Sequence, residues 1–174
     1  MRHWTELPSA ELGEIARAGA MAILPVAAVE QHGPHLPLGT DAFILEGVLD
    51  RVKMSGPREV LRLPLQTVGH SLEHTGYPGT LHADAETLLA KWTEIGRAVG
   101  RAGIRKLMIL NSHGGQPQIV DLVALRLRQE LGMFVTRVNT FALGVPDGLF
   151  DQDELSNGLH GGEVETSMML ALRP

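Results

Sequence analysis

Three polar segments of this 174-residue chain carry residue types that hold divalent cations and move protons. They are Glu30-Gln31-His32-Gly33-Pro34-His35 with Asp41 close behind, Asn111-Ser112-His113-Gly114-Gly115, and His160-Gly161-Gly162-Glu163-Val164-Glu165. Carboxylates and imidazoles without sulfur suit Zn²⁺ or Mn²⁺, and a carboxylate such as Asp41 has two oxygens with which to bridge a pair of ions. Glu30 and His32 stand two apart at the end of an extended run, so both side chains can enter one cavity. Gly114 and Gly115 let backbone approach a ligand beside His113. The chain has no cysteine, which removes thiolate nucleophiles, disulfides and Cys-ligated metal from consideration.

Taken singly, each residue has a plainer reading. Asp41 fits the N-cap of a helix, His113-Gly114-Gly115 fits a turn or an anion nest, and Glu163 and Glu165 suit the positive end of a helix dipole. His32 and His35 could be loop residues satisfied by backbone carbonyls. These readings give no reason for acids and imidazoles to gather after successive apolar runs. One shared crevice does.

The elements that would position them alternate in type. Residues 20–29 form a near-continuous apolar run of the kind buried on both sheet faces. A helix follows from Thr40, with Phe43, Ile44, Val48, Leu49 and Val52 at helical spacing, until Ser55-Gly56-Pro57 ends it. Residues 60–65 read as a strand and 68–83 as a long loop rich in Gly and His. Asp84 is placed to cap a helix with Leu88, Trp92, Ile95 and Val99 on one face. A strand at 106–110 leads to a helix opened by Pro117 and closed by Gly132, and residues 133–140 make another strand. A helix at 8–18, with Ser9 as its cap, precedes the first strand. A polar loop at 144–162 and a helix at 163–172 complete the chain. This alternation predicts a mostly parallel sheet covered by helices on both faces, with ligands outside the carboxyl ends of the strands.

Composition narrows the classes. Hydrophobic residues are 44% and charged residues 20%, which fits one packed domain over residues 1–174. A net charge of −5 with 15 scattered Lys and Arg leaves no basic face for nucleic acid. No apolar stretch is long enough to span a bilayer and the N-terminus does not read as a signal peptide, so a soluble, cytoplasmic protein is expected.

The segments Glu30-Gln31-His32-Gly33, Leu36-Pro37-Leu38-Gly39-Thr40-Asp41, Asn111-Ser112-His113-Gly114-Gly115 and His160-Gly161-Gly162-Glu163-Val164-Glu165-Thr166-Ser167 together resemble the creatininase (creatinine amidohydrolase) family. Gly69, Ser71, Glu73-His74 and Tyr77-Pro78-Gly79-Thr80 resemble a further loop of that family. The resemblance implies a three-layer α/β/α fold, a binuclear metal site, and homo-oligomers that are often hexamers. It also implies hydrolysis of an amide C–N bond in a small, sometimes cyclic, substrate. Carried over, Glu30, Asp41 and His113 would hold one ion, and His32 with bridging Asp41 and Glu163 the other, the ions being Zn, Mn or Fe. In creatininase itself the last ligand is a Glu at the position of Gly115. His160 would protonate the departing nitrogen after attack by a metal-bound hydroxide, and Glu165 would orient a ligand.

Two features depart from the family pattern. Creatininase lines its pocket with tryptophans before the last motif, and this chain has only Trp4 and Trp92. Relatives also continue past the position of Pro174, so a C-terminal truncation is an expectation. A deformylase, a peptidase acting on a modified peptide, and a metal-binding assembly module without catalysis therefore stand beside creatinine hydrolysis.

Overall fold

The computed structural model describes residues 1–174. Five strands, β1 (Arg2–His3), β2 (Met21–Val26), β3 (Val60–Arg62), β4 (Lys106–Asn111) and β5 (Phe134–Asn139), form one sheet in the order β1-β3-β2-β4-β5. Every pairing is parallel. Six α-helices accompany them: α1 (Ser9–Arg17), α2 (Thr40–Arg51), α3 (Ala85–Arg101), α4 (Pro117–Leu131), α5 (Gln152–Asn157) and α6 (Glu163–Leu172).

The central strands read as buried runs because helices cover both sides of them. Along β2, Ala22, Leu24 and Val26 enter a core of 20 residues that includes Leu88, Trp92 and Val99 of α3 and Val120, Val123 and Leu127 of α4. On the opposite face Ile23 packs with Ala42, Leu45 and Leu49 of α2. The result is the expected α/β/α layering. No helix is long and apolar enough to cross a membrane.

Chain order fixes where a ligand can bind. From β2 the chain crosses through α2 to β3 on one side, then through α3 to β4 on the other side of β2. Helices α2 and α4 consequently leave β2 and β4 on opposite faces of the sheet, and a crevice opens between those strand ends. Val26 pairs with Asn111, so both strands finish at the same level and deliver the residues after them to one place.

Several local expectations are corrected. The run at 20–29 is strand only to Val26, beyond which the backbone makes single bridges from Val26 to Gln66 and from Val29 to Leu81. Gly39, not Asp41, is the N-cap of α2, and Asp41 lies inside the first turn with its carboxylate turned away from capping. Pro8 replaces Ser9 as the cap of α1. Asp84 takes the N-cap position of α3, but its carboxylate faces His82 Nε2 at 3.4 Å and makes no cap bond. The loop at 144–162 contains α5, capped by Asp151, which accepts from the Glu154 N–H. Gly132 closes α4 in the left-handed region, φ 60°, as its position implied.

Candidate metal centre

Four groups meet at the β2/β4 crevice: Glu30 and His32 are 1% exposed, and Asp41 and His113 3%. His113 Nδ1 lies 3.1 Å from Glu30 Oε1 and 3.3 Å from Asp41 Oδ2. His32 Nε2 lies 3.3 Å from Asp41 Oδ1. Asp41 thus places one oxygen toward each imidazole, and its own position is set by Ser112, whose hydroxyl donates to the Asp41 carbonyl at 3.0 Å.

Each imidazole is held from behind by its other nitrogen. His32 Nδ1 donates to the Glu30 carbonyl at 3.1 Å, and His113 Nε2 donates to the His70 carbonyl at 2.8 Å. A carbonyl oxygen can only accept, so in the neutral tautomers His32 Nε2 and His113 Nδ1 carry lone pairs. Those lone pairs point at carboxylates. Glu30 Oε2, Asp41 Oδ2 and His32 Nε2 have no hydrogen-bond partner although they are fully buried. Buried acceptors facing buried acceptors cost several kcal/mol in aggregate unless a cation, proton or metal, stands between them, at about 1–3 kcal/mol per unsatisfied group. A divalent ion satisfies this set, and second atoms anchored to backbone are what metal-ligating histidines require.

With protons as the only cations, the same geometry shifts the titrations. Burial opposes a charge on His32, but the carboxylates of Asp41 and Glu165 facing its Nε2 outweigh it and push the ring up to about 10. Burial likewise opposes a charge on His113, which Asp41 and Glu30 push up to about 10. Burial alone would raise Asp41, yet His113 and His32 hold it below its ordinary 3.8.

A tight turn after β4 holds His113. Asn111 is fully buried, its Oδ1 accepting the His113 N–H at 3.1 Å and its Nδ2 donating to the His113 carbonyl at 2.8 Å. Gln116 donates to Asn111 Oδ1 at 2.9 Å and so orients the amide.

The third segment arrives differently from its expectation. Glu163 is exposed at the start of α6 and belongs to no group of potential ligand atoms within 4.8 Å of one another. Glu165, two residues on, does: His32, His160 and Glu165 form such a group, with Glu165 Oε1 3.6 Å from His32 Nε2. Glu165 Oε2 also accepts the Gly161 N–H at 2.5 Å. His160 donates through Nε2 to the Gln31 carbonyl at 2.6 Å, which leaves Nδ1 toward Glu30 Oε1 at 3.8 Å.

Two residues without an expected role come from the 68–83 loop. His74 Nε2 lies 3.7 Å from Glu30 Oε1, and its ring stacks on His160 with centroids 4.3 Å apart. Glu73 Oε1 is 3.8 Å from His113 Nε2 and occupies the space a side chain at Gly115 would need. The available signal was the loop's length and the adjacent Glu73-His74 pair. His35, by contrast, turns outward to Thr166 Oγ1 at 3.0 Å.

Known proteins bear on this arrangement. The family model described as creatinine amidohydrolase matches residues 5–174. The mycofactocin precursor peptide peptidase of Mycolicibacterium smegmatis is 32% identical over 158 residues, covering 88% of this chain and 58% of that protein. The creatinine amidohydrolase of Pseudomonas putida is 31% identical over 176 residues, covering 92% of this chain and 67% of that protein. The chain therefore spans roughly three fifths to two thirds of these curated relatives. Among solved structures, a manganese creatininase superposes with a TM-score of 0.76 at 26% identity, over 99% of this chain and 73% of that one. A mutant creatininase of Zn-Zn type gives 0.79 at 25%, over 99% and 72%. Because the family match runs unbroken from before Glu30 to beyond Glu165, across every strand that builds the crevice, the chain belongs to the creatininase family.

Proposed function

We propose that this chain is a metal-dependent hydrolase that cleaves an amide C–N bond at a binuclear centre. The observation that carries the reading is the opposed set of buried acceptors: His32 Nε2 and His113 Nδ1, each committed to backbone through its other nitrogen, facing Glu30 and Asp41. Glu30, Asp41 and His113 would hold one ion. His32, bridging Asp41 and Glu165 would hold the other, Glu165 taking the place that the sequence assigned to Glu163. Zinc and manganese both suit this donor set.

Two bound cations would supply Lewis acidity and a water activated near neutral pH. The chain's own groups do the rest. Asp41 keeps His32 and His113 at a fixed separation through its two oxygens. His160, restrained through Nε2, presents Nδ1 to the centre, where it takes the proton released on attack and passes it to the departing nitrogen. Glu165 fixes the turn beside His160 by accepting the Gly161 N–H.

A substrate other than creatinine is favoured by the walls. Trp92 is wholly buried in the core and Trp4 packs against it, so neither lines the crevice. Assembly into a homo-oligomer belongs to the same proposal, and the exposed Leu122, Leu125 and Phe134 on α4 and β5 offer apolar surface for it.

The deciding experiment combines elemental analysis of metal-replete protein with a hydrolysis screen over creatinine, lactams, formamides and short peptides. Two equivalents of transition metal with turnover of one class support the reading. Bound metal without turnover anywhere favours a non-catalytic module, and absence of metal, with Asp41→Ala leaving stability unchanged, sinks it.

A further inference from the structure

Gln31 lies between the ligand candidates Glu30 and His32 and has no ligand role of its own, yet it touches two other imidazoles. Its Oε1 accepts the Gly33 N–H at 3.0 Å, which fixes which end of the amide is oxygen. Its Nε2 must then donate to His74 Nδ1, 2.9 Å away. His74 Nδ1 is an acceptor in that bond, so in the neutral ring the proton sits on Nε2, the atom aimed at Glu30 Oε1. The backbone carbonyl of the same Gln31 accepts from His160 Nε2 at 2.6 Å, which leaves His160 Nδ1 bare. The two rings stack with centroids 4.3 Å apart and an interplanar angle of 21°.

We propose that Gln31 sets His74 and His160 to opposite polarity at the crevice, so that His74 Nε2–H is a prepaid hydrogen-bond donor for a carbonyl oxygen of the ligand while His160 Nδ1 is the proton acceptor. This rests on the amide-hydrolase reading and adds to it a second imidazole from the 68–83 loop. His74 is the residue that touches the ligand; Gln31 is a positioning residue acting through both rings. Chemistry requires the opposition. A carbonyl oxygen gains negative charge as an amide is attacked and is stabilised by a donor already aimed at it, whereas the proton lost by the attacking water needs a lone pair. Two side-by-side imidazoles free to change tautomer would offer both functions only part of the time.

The test uses ¹⁵N-labelled, zinc-loaded full chain. Long-range ¹H–¹⁵N spectra should show His74 with Nε2 protonated and Nδ1 bare, and His160 likewise bare at Nδ1. In Gln31→Glu the carboxylate can only accept, so His74 Nδ1 should become protonated while the His160 pattern, held by backbone, stays. A merely structural Gln31 would leave the His74 tautomer unchanged. Acetohydroxamate, which carries a carbonyl oxygen, should bind zinc-loaded wild type and bind His74→Ala about tenfold more weakly, one lost hydrogen bond to a charged group, at equal zinc content. A His74 ring protonated at Nδ1 in wild type, an unchanged tautomer in Gln31→Glu, or equal acetohydroxamate affinity in His74→Ala overturns the proposal. Failure of wild type to bind acetohydroxamate overturns its ligand half together with the amide-hydrolase reading, and loss of zinc by wild type overturns the centre itself.

Discussion

Asp41 meets His32 through a single oxygen, Oδ1 at 3.3 Å from Nε2, and leaves its other oxygen to His113. No other carboxylate in the chain stands between both buried imidazoles in this way. If the two oxygens serve two ions, Asp41→Asn should lose both rather than one, because the amide keeps only one acceptor and turns a donor toward a cation. Elemental analysis should fall from about two equivalents to well below one. Retention of two would exclude the bridging role.

The histidines make a separate prediction about the metal-free protein. Both are raised in the fold to about 10 from an ordinary 6.5, so the folded state binds more protons than the unfolded state between those values. Their contribution to stability is complete below pH 6.5 and is lost as pH rises through 10. Asp41 is lowered, and its contribution is present above 3.8 and lost on acidification below that value. Melting of chelator-treated protein should therefore weaken steadily from pH 6.5 to 10. Zinc should abolish this decline, since it replaces the protons, and its binding at pH 7 should release about two of them into solution. Calorimetry in buffers of different ionisation enthalpy measures that number.

Glu163 and Glu165 separate what sequence showed from what only geometry shows. Glu165→Gln should lose about one equivalent of metal, and Glu163→Gln should keep both, as read by elemental analysis. The reverse result would restore the assignment made from sequence.

Glu30, His32, Asp41 and His113 were legible because strand ends fix their position: an apolar run followed by polar residues at the carboxyl edge of a parallel sheet leaves little freedom. The choice between Glu163 and Glu165 depended on the rotation of α6, which is set by its packing against α2 and by the Gly161 turn, and a helix dipole explained both residues equally well. His74 and Glu73 were hidden for another reason. They reach the centre on a loop whose path follows from long-range contacts, such as the Gly69–His82 bridge and the His70 N–H donated to Gln116, and no periodicity announces those. Asp41 was obscured by a helix start that Gly39 in fact caps, which freed its carboxylate.

Asn111→Ala should damage the centre without removing any ligand. Its amide satisfies both backbone groups of His113, so truncation leaves a buried N–H and a buried carbonyl unpaired. At about 1–3 kcal/mol for each unsatisfied group, and about 2–4 °C of melting temperature per kcal/mol for a chain of this size, a fall of several degrees is expected. Metal affinity should drop about 10–100-fold, the usual cost of losing a group that orients a ligand. A stable variant with unchanged affinity would show that His113 does not depend on this turn.

Gly161 tests the turn that carries His160 and that Glu165 braces by accepting the Gly161 N–H. Its φ of 64° is left-handed, which glycine adopts freely, and a Cβ there would lie 3.2 Å from the His32 carbonyl oxygen, so the turn carrying His160 lies close against the strand-end segment and has no room for a side chain. Alanine should cost about 1–2 kcal/mol in backbone strain. The strain can be relieved only by moving the 160–162 turn, because His32 is fixed by its bond to the Glu30 carbonyl and by Asp41. Moving that turn shifts His160 while the ligands on the β2 and β4 edge stay where they are. Gly161→Ala should therefore keep at least the ion held by Glu30, Asp41 and His113 and lose most of its hydrolytic turnover, measured on whichever amide class the screen identifies. Full turnover in this variant would remove His160 from the reaction.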